Sequence, residues 1–164
     1  MDKIQYTPIG VIRSPFKQVE GMPIQPAGAK GIAGSVEIYE MFAEGLKDLE
    51  GFSHIILIYH LHRSRGFKLH VKPFLDDQLR GVFATRAPRR PNAIGISVVR
   101  LLQVDRNILK IEDVDILDGT PLLDIKPYVP AFDEREAVRT GWLSSRAGVV
   151  AGVRSDERFK SAEE

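Results

Sequence analysis

The sequence contains no cysteine. Disulfide scaffolds, thiol catalysis and cysteine-ligated zinc are therefore excluded. A strong net charge is missing too: 23 Lys and Arg stand against 22 Asp and Glu, for a net charge of +1. Contact with a nucleic acid would have to come from a local basic patch. No apolar run approaches the roughly 18 residues of a membrane span. The opening MDKIQYTPIG has no basic segment followed by an apolar core, so it does not read as a signal peptide. These absences predict a soluble, cytoplasmic protein with no membrane partner. The GxGxxG, GxxxxGK[ST] and GxSxG patterns are absent as well, so a bound nucleotide would not use a Rossmann or P-loop site. Among the histidines, His60 and His62 lie two apart on one strand face, with His54 and His70 further off. No HExxH-like spacing accompanies them and the aspartates lie in distant strands, so no metal is expected.

What is present suits one domain, or one domain with an appendage: 164 residues, 43% hydrophobic and 27% charged. β-Branched and aromatic residues between turn signals predict strands over Ile4 to Ile12, Gly34 to Ile38, His54 to His62, Lys68 to Phe74, Leu79 to Thr85, Ile94 to Val104 and Ile108 to Ile116. Asp105-Arg106-Asn107 reads as a tight hairpin connection. Phe42, Leu46 and Leu49 recur at helical spacing and predict one short helix over Tyr39 to Leu49, with a second helical piece near Asp133. Many strands and few helices indicate an all-β-dominated fold, a barrel or a strongly twisted sheet. Ser155 to Glu164 is mostly polar and reads as a frayed end.

Three stretches can carry chemistry. The first is GVFATRAPRRPNAIG, from Gly81. Arg86, Arg89 and Arg90 fall within five residues, and arginine offers a planar fork of donors for carboxylates, phosphates or bases. Pro88 and Pro91 stiffen the loop, and Asn92 tolerates unusual backbone angles. A solvated basic turn is the plain alternative. The second is VDILDGTPLLDIKPYVP, residues 114 to 130. Asp118-Gly119-Thr120-Pro121 is a turn whose aspartate either bonds a ribose or caps the turn. Asp113 and Asp115 alternate with Val114 and Ile116. Asp124, Lys126 and Tyr128 share one face, suited to positioning an amine and moving a proton, or simply an exposed polar face. The third is the Pro/Gly-rich segment RSPF…GMPIQPAG, residues 13 to 28, with Arg13 and Gln25.

Together, IGVIRSPF, GSVEIYEMFAEGLKDLEGFSHIILIYHLHRS, GVFATRAPRRPNAIGISVVRL and DILDGTPLLDIKPYVP resemble the TsaA-like, or TrmO, family over roughly residues 4 to 133. The resemblance implies a small β-barrel with one or two short helices, a homodimer, and an S-adenosylmethionine-dependent methyltransferase. The implied acceptor is the exocyclic amine of threonylcarbamoyl-adenosine beside the anticodon of tRNA. The family's cofactor contacts map to Pro23, Ile24, Gln25, His62, Arg63, Arg86, Ile96, Asp118, Gly119, Thr120 and Pro121. Ile24 and Arg63 depart from the residue types expected there. Arg89, Arg90 and Asn92 become candidate substrate contacts, and Asp124, Lys126 and Tyr128 candidate catalytic groups. Residues 1–135 form the expected barrel domain, and 136–164 an extension too short for the extra C-terminal domain of longer members. The alternative is a cofactor-binding regulatory module without RNA methylation, or a methyltransferase with another substrate.

Overall fold

The computed structural model describes residues 2–144, 152–156 and 159. Six antiparallel strands close into a barrel: β1 (Gly10–Arg13), β2 (Ala33–Ile38), β3 (His54–His60), β6 (Ile94–Asp105), β7 (Ile108–Glu112) and β8 (Thr120–Pro127), in the spatial order β1-β2-β7-β6-β3-β8. A separate two-stranded ribbon joins β4 (His70–Val71) to β5 (Arg80–Gly81). Closure removes the unpaired sheet edges that an open sheet of this length would expose.

Alternation along the strands fills the barrel. Ile55, Leu57 and Tyr59 of β3 point inward, as do Val36 and Ile38 of β2, Val99 of β6, Leu109 and Ile111 of β7 and Leu122 of β8. Each fully buried aliphatic side chain contributes about 1.5–3 kcal/mol of transfer free energy. The β6–β7 connection is the expected hairpin: Asp105 pairs with Ile108, and Arg106 takes a positive φ of 53°. Asn107 fastens the turn to β2 through its side-chain amide, which donates to the Ile38 carbonyl at 2.7 Å.

Several strand expectations are corrected. β1 begins at Gly10 rather than Ile4, because Ile4 and Tyr6 are exposed and have no strand to pair with. The predicted strand Lys68 to Phe74 shrinks to His70–Val71, and Leu79 to Thr85 shrinks to Arg80–Gly81 followed by a 3-10 turn at Val82–Ala84. Phe67, Leu69, Leu79 and Phe83 are exposed, so these apolar residues are not a core face. β7 stops at Glu112 because Asp113 turns left-handed, φ 69°, and accepts the Gly31 N–H. That turn separates Asp113 from Asp115, which do not share a strand face. The predicted helix Tyr39 to Leu49 is a 3-10 helix over Glu40–Leu46, burying Leu46 alone. The piece near Asp133 is a single α-helical turn, Pro130–Asp133.

The strand β8 was legible only as an alternation of polar residues. It carries a bulge: Ile58 pairs with Asp124, whereas Tyr59 pairs with Leu122, which leaves Leu123 as the extra residue. The bulge lets Asp124 lie on the outer face while Leu122 stays in the core. The end of the chain is also corrected where it is described. Ser155 exchanges backbone hydrogen bonds with Gly21 and Met22, and Phe159 packs edge-on against Phe74, ring centroids 5.0 Å apart. The remainder of that predicted frayed end lies outside the described residues.

Candidate active site

One end of the barrel, where β3 leaves and β6 enters, opens into a cavity of about 1020 Å³. This is ample for a drug-sized or nucleoside-sized ligand. The cavity is walled by parts of residues 22–27, residues 61–64, residues 73–75, the basic loop after β5, and residues 115–117 with Thr120, joined by Trp142, Ser155 and Phe159 from the end of the chain.

The basic loop is held by its own polar groups. Thr85 donates through its hydroxyl to the Val82 carbonyl at 2.8 Å, and Ser64 donates to the Pro88 carbonyl at 2.9 Å. Arg90 is spent on the loop, donating to the carbonyls of Thr85 and Ala87 at 3.1 and 3.2 Å. Arg86 reaches across the cavity mouth and donates to Gln25 Oε1 at 2.8 Å. That contact brings together two of the predicted segments, 61 residues apart in sequence. Trp142 donates its indole N–H to the Ala84 carbonyl at 2.8 Å, with the Arg80 guanidinium 5.5 Å from its ring centroid.

His62 sits 3.3 Å from Thr120 Oγ1 through Nδ1. The Thr120 hydroxyl already donates to the Leu117 carbonyl at 2.7 Å. Its single proton is used, so the imidazole Nδ1–H must be the donor, which leaves Nε2 as an acceptor. Burial, then Arg63 and His60, push the His62 pKa below its ordinary value, so the ring is neutral at pH 7.

The floor holds a group that sequence reasoning did not single out. Asp115 lines the cavity, and Ser97 of β6 donates to its Oδ1 at 2.6 Å. Tyr59 lies 3.0 Å from Ser97 Oγ. Since the serine proton goes to the carboxylate, the tyrosine must donate to the serine. Burial pushes the Asp115 carboxyl up to about 6, against partial relief from the Ser97 bond and the Arg86 charge. Burial also raises the Tyr59 phenol, which stays protonated. Room for this chain comes from Gly95, opposite Tyr59 in the β3–β6 pairing: a Cβ there would lie 2.2 Å from the tyrosine ring. The sequence signals were Asp115 between two buried apolar residues and a glycine within the strand.

Of the predicted site residues, Pro23, Ile24, Gln25, His62, Arg63, Arg86, Arg90, Asn92, Ile96 and Thr120 line the cavity. Arg89, Asp118, Gly119 and Pro121 are not in its lining. Asp118 instead ties two loops together: its Oδ1 accepts the Ser14 N–H at 3.1 Å and its Oδ2 pairs with Lys17 at 2.7 Å. These bonds hold its carboxyl below the ordinary value, the Lys17 bond most of all. Gly119 takes a φ of +76°, and its N–H bonds the Ile12 carbonyl at 2.9 Å. Asp124, Lys126 and Tyr128 lie away from the cavity. Asp124 and Lys126 pair with each other at 2.8 Å, opposite Ile58 and Ile56 on the outer face, and the Tyr128 hydroxyl bonds Glu134 at 3.2 Å. Among the described residues, no three His, Asp or Glu side chains gather as a metal would require. No helix of the described residues is long and apolar enough to cross a membrane.

Comparison with known proteins places this geometry. Residues 11–134 match the family model of the tRNA-methyltransferase O N-terminal domain. A probable S-adenosyl-L-methionine-binding protein of Pyrococcus abyssi is 60% identical over 96% of this chain and 86% of its own length. The Escherichia coli tRNA (adenine(37)-N6)-methyltransferase is 41% identical over 79% of this chain, which spans 60% of that enzyme. The crystal structure of TrmO from Pseudomonas aeruginosa superposes with a TM-score of 0.72 at 40% identity, over 86% of this chain and 63% of that one. The walls of the cavity, with the exception of its C-terminal lining, fall within the matched span, and the chain belongs to the family of the tRNA-methyltransferase O N-terminal domain.

Proposed function

We propose that the barrel-end cavity binds S-adenosylmethionine and that the protein transfers its methyl group to the exocyclic amine of an adenosine in tRNA. The observation that carries the reading is the convergence of Pro23–Gln25, His62, Arg86 and Thr120 on one cavity. The lining also fits the cofactor's chemistry. It provides apolar walls for an adenine, an arginine for a carboxylate, and a carboxylate, Asp115, for positive charge. When bound, the cofactor supplies an electrophilic methyl group on a sulfonium.

The chain's task is then alignment and exclusion of water. The Arg86–Gln25 bond ties the basic loop to the 22–27 segment and fixes the width of the mouth. Neutral His62, with Nε2 as acceptor, can receive a hydrogen bond from an amine at the mouth. Phe83, exposed beside the same mouth, offers a face on which a base can stack. The predicted proton-moving trio Asp124, Lys126 and Tyr128 is not retained in this reading, because within one subunit it lies outside the cavity.

The preferred acceptor is threonylcarbamoyl-adenosine beside the anticodon, whose carboxylate suits the exposed basic loop. The working form is a cytoplasmic homodimer. Its support is the outer face of β3 and β6, where Ile58 and the exposed Ile94 and Ile96 form an apolar stripe that runs into the cavity wall. The test is incubation with S-adenosylmethionine and tRNA carrying or lacking the threonylcarbamoyl group, followed by mass spectrometry of the nucleosides. A 14-dalton gain confined to the modified adenosine supports the proposal. Cofactor binding with no nucleoside gaining a methyl group would instead identify a binding module.

A further inference from the structure

We propose that Asp115 is the counter-charge to the cofactor's sulfonium, so that the cavity selects S-adenosylmethionine over its neutral-sulfur product S-adenosylhomocysteine. The inference rests on the cofactor reading above and assigns a residue to one part of that site. Asp115 is a carboxylate on the wall of a mostly apolar cavity. Among the described residues, no cation forms an ion pair with it; the Arg86 charge stabilises it only in part, and Arg86 itself is hydrogen-bonded to Gln25. A partly buried carboxylate without an ion-pair partner is costly. A bound cation would remove that cost.

The kind of cation follows from the neighbouring polar groups. An ammonium carries three N–H donors and needs several acceptors. The hydroxyl protons beside Asp115 are committed: Tyr59 donates to Ser97, and Ser97 donates to Asp115. Ile96, Ile116 and Leu117 line the same cavity, so the carboxylate's charge is presented in an apolar setting. A sulfonium has charge and no N–H, and it suits that environment. Methyl transfer removes the sulfonium charge, so the product loses this attraction and leaves more readily than the cofactor.

The proton balance gives a signature besides turnover. A carboxyl titrating at about 6 is half protonated at pH 6. Binding a cation beside it favours the ionised form and expels the proton. The groups facing Asp115 are Tyr59 from β3, Ser97 from β6 and Arg86 from the basic loop, with neutral His62 on the same cavity. Of these, Asp115 titrates at about 6, and burial holds the His62 imidazole below its ordinary value. His62 sees both cofactor and product, and comparison of the two isolates Asp115.

The test is calorimetry at pH 6 in buffers of different ionisation heat, with S-adenosylmethionine and S-adenosylhomocysteine, on the full chain and on Asp115→Asn. The expected result is release of up to about half a proton per site with the cofactor and clearly less with the product. In Asp115→Asn the difference disappears, and preference for the cofactor falls about ten- to a hundredfold. Ser97→Ala keeps the carboxylate but removes its donor, and the pH of maximal release should rise. Cofactor binding with equal proton release for both ligands, or a preference unchanged in Asp115→Asn, overturns the inference while leaving the cofactor reading intact. Absence of cofactor binding to the wild type overturns both.

Discussion

At the scale of single residues, the two charged groups that looked equivalent in sequence do different work. Arg86 bridges to Gln25 across the cavity mouth, and Asp118 joins Ser14 and Lys17 outside it. Arg86→Ala should weaken cofactor binding about ten- to a hundredfold, the loss expected for a charge-assisted bond of roughly 1.5–3 kcal/mol. Its melting temperature should change little, because the side chain is exposed. Asp118→Ala should instead lower stability by about 1–3 kcal/mol, since it leaves the Ser14 N–H without its acceptor. The folded pKa of Asp118 is depressed, so its contribution is present above the ordinary carboxylate value of 3.8 and is lost as the pH falls below it. Thermal unfolding at pH 7 and pH 3 checks this: the gap between wild type and variant should narrow in acid. Asp115 has the opposite sign. Its folded pKa is raised from 3.8 to about 6, so the native state holds the extra proton in that window and stability falls as the pH rises through it. Asp115→Asn should therefore gain more melting temperature relative to wild type at pH 8 than at pH 4, without ligand.

At the scale of elements, the barrel strands were legible where hydrophobic alternation met a partner strand. β2, β3 and β6 lie within a residue or two of their expected limits, as does the Arg106–Asn107 hairpin. Sequence reasoning failed where apolar residues served a surface. Phe67, Leu69, Leu79 and Phe83 read as strand formers but sit exposed around a two-stranded ribbon and a 3-10 turn. The site was legible through its loops, because prolines and arginines cluster there; its floor was not, since Tyr59, Ser97 and Asp115 come from three elements that only barrel closure brings together. The β3–β6 pairing supplies a test at this scale. Gly95→Ala puts a methyl group into the Tyr59 ring, which must move and break its 3.0 Å contact with Ser97. Overpacking of this kind costs about 1–3 kcal/mol. The variant should melt at a lower temperature and show altered tyrosine fluorescence, and its cofactor affinity should fall with the loss of order at the cavity floor.

For the whole molecule, a closed barrel holds one end rigid while loops from distant parts of the sequence cover it. The proposed dimer would form on the apolar stripe of Ile58, Ile94 and Ile96 beside the cavity. Light scattering at micromolar concentration should give about twice the 18.4 kDa chain mass, and Ile96→Glu should return the monomer. The C-terminal stretch takes part in the site as well: the Ser155 bonds to Gly21 and Met22 place it against the loop that carries Pro23–Gln25. The measurement that bears most directly on this account is a crystal structure of the protein grown with S-adenosylmethionine. The account predicts cofactor density at the barrel end, bounded by Gln25, Arg86 and Thr120, with its sulfur beside the Asp115 carboxylate. Density on another surface, with the barrel-end cavity holding solvent, would contradict it.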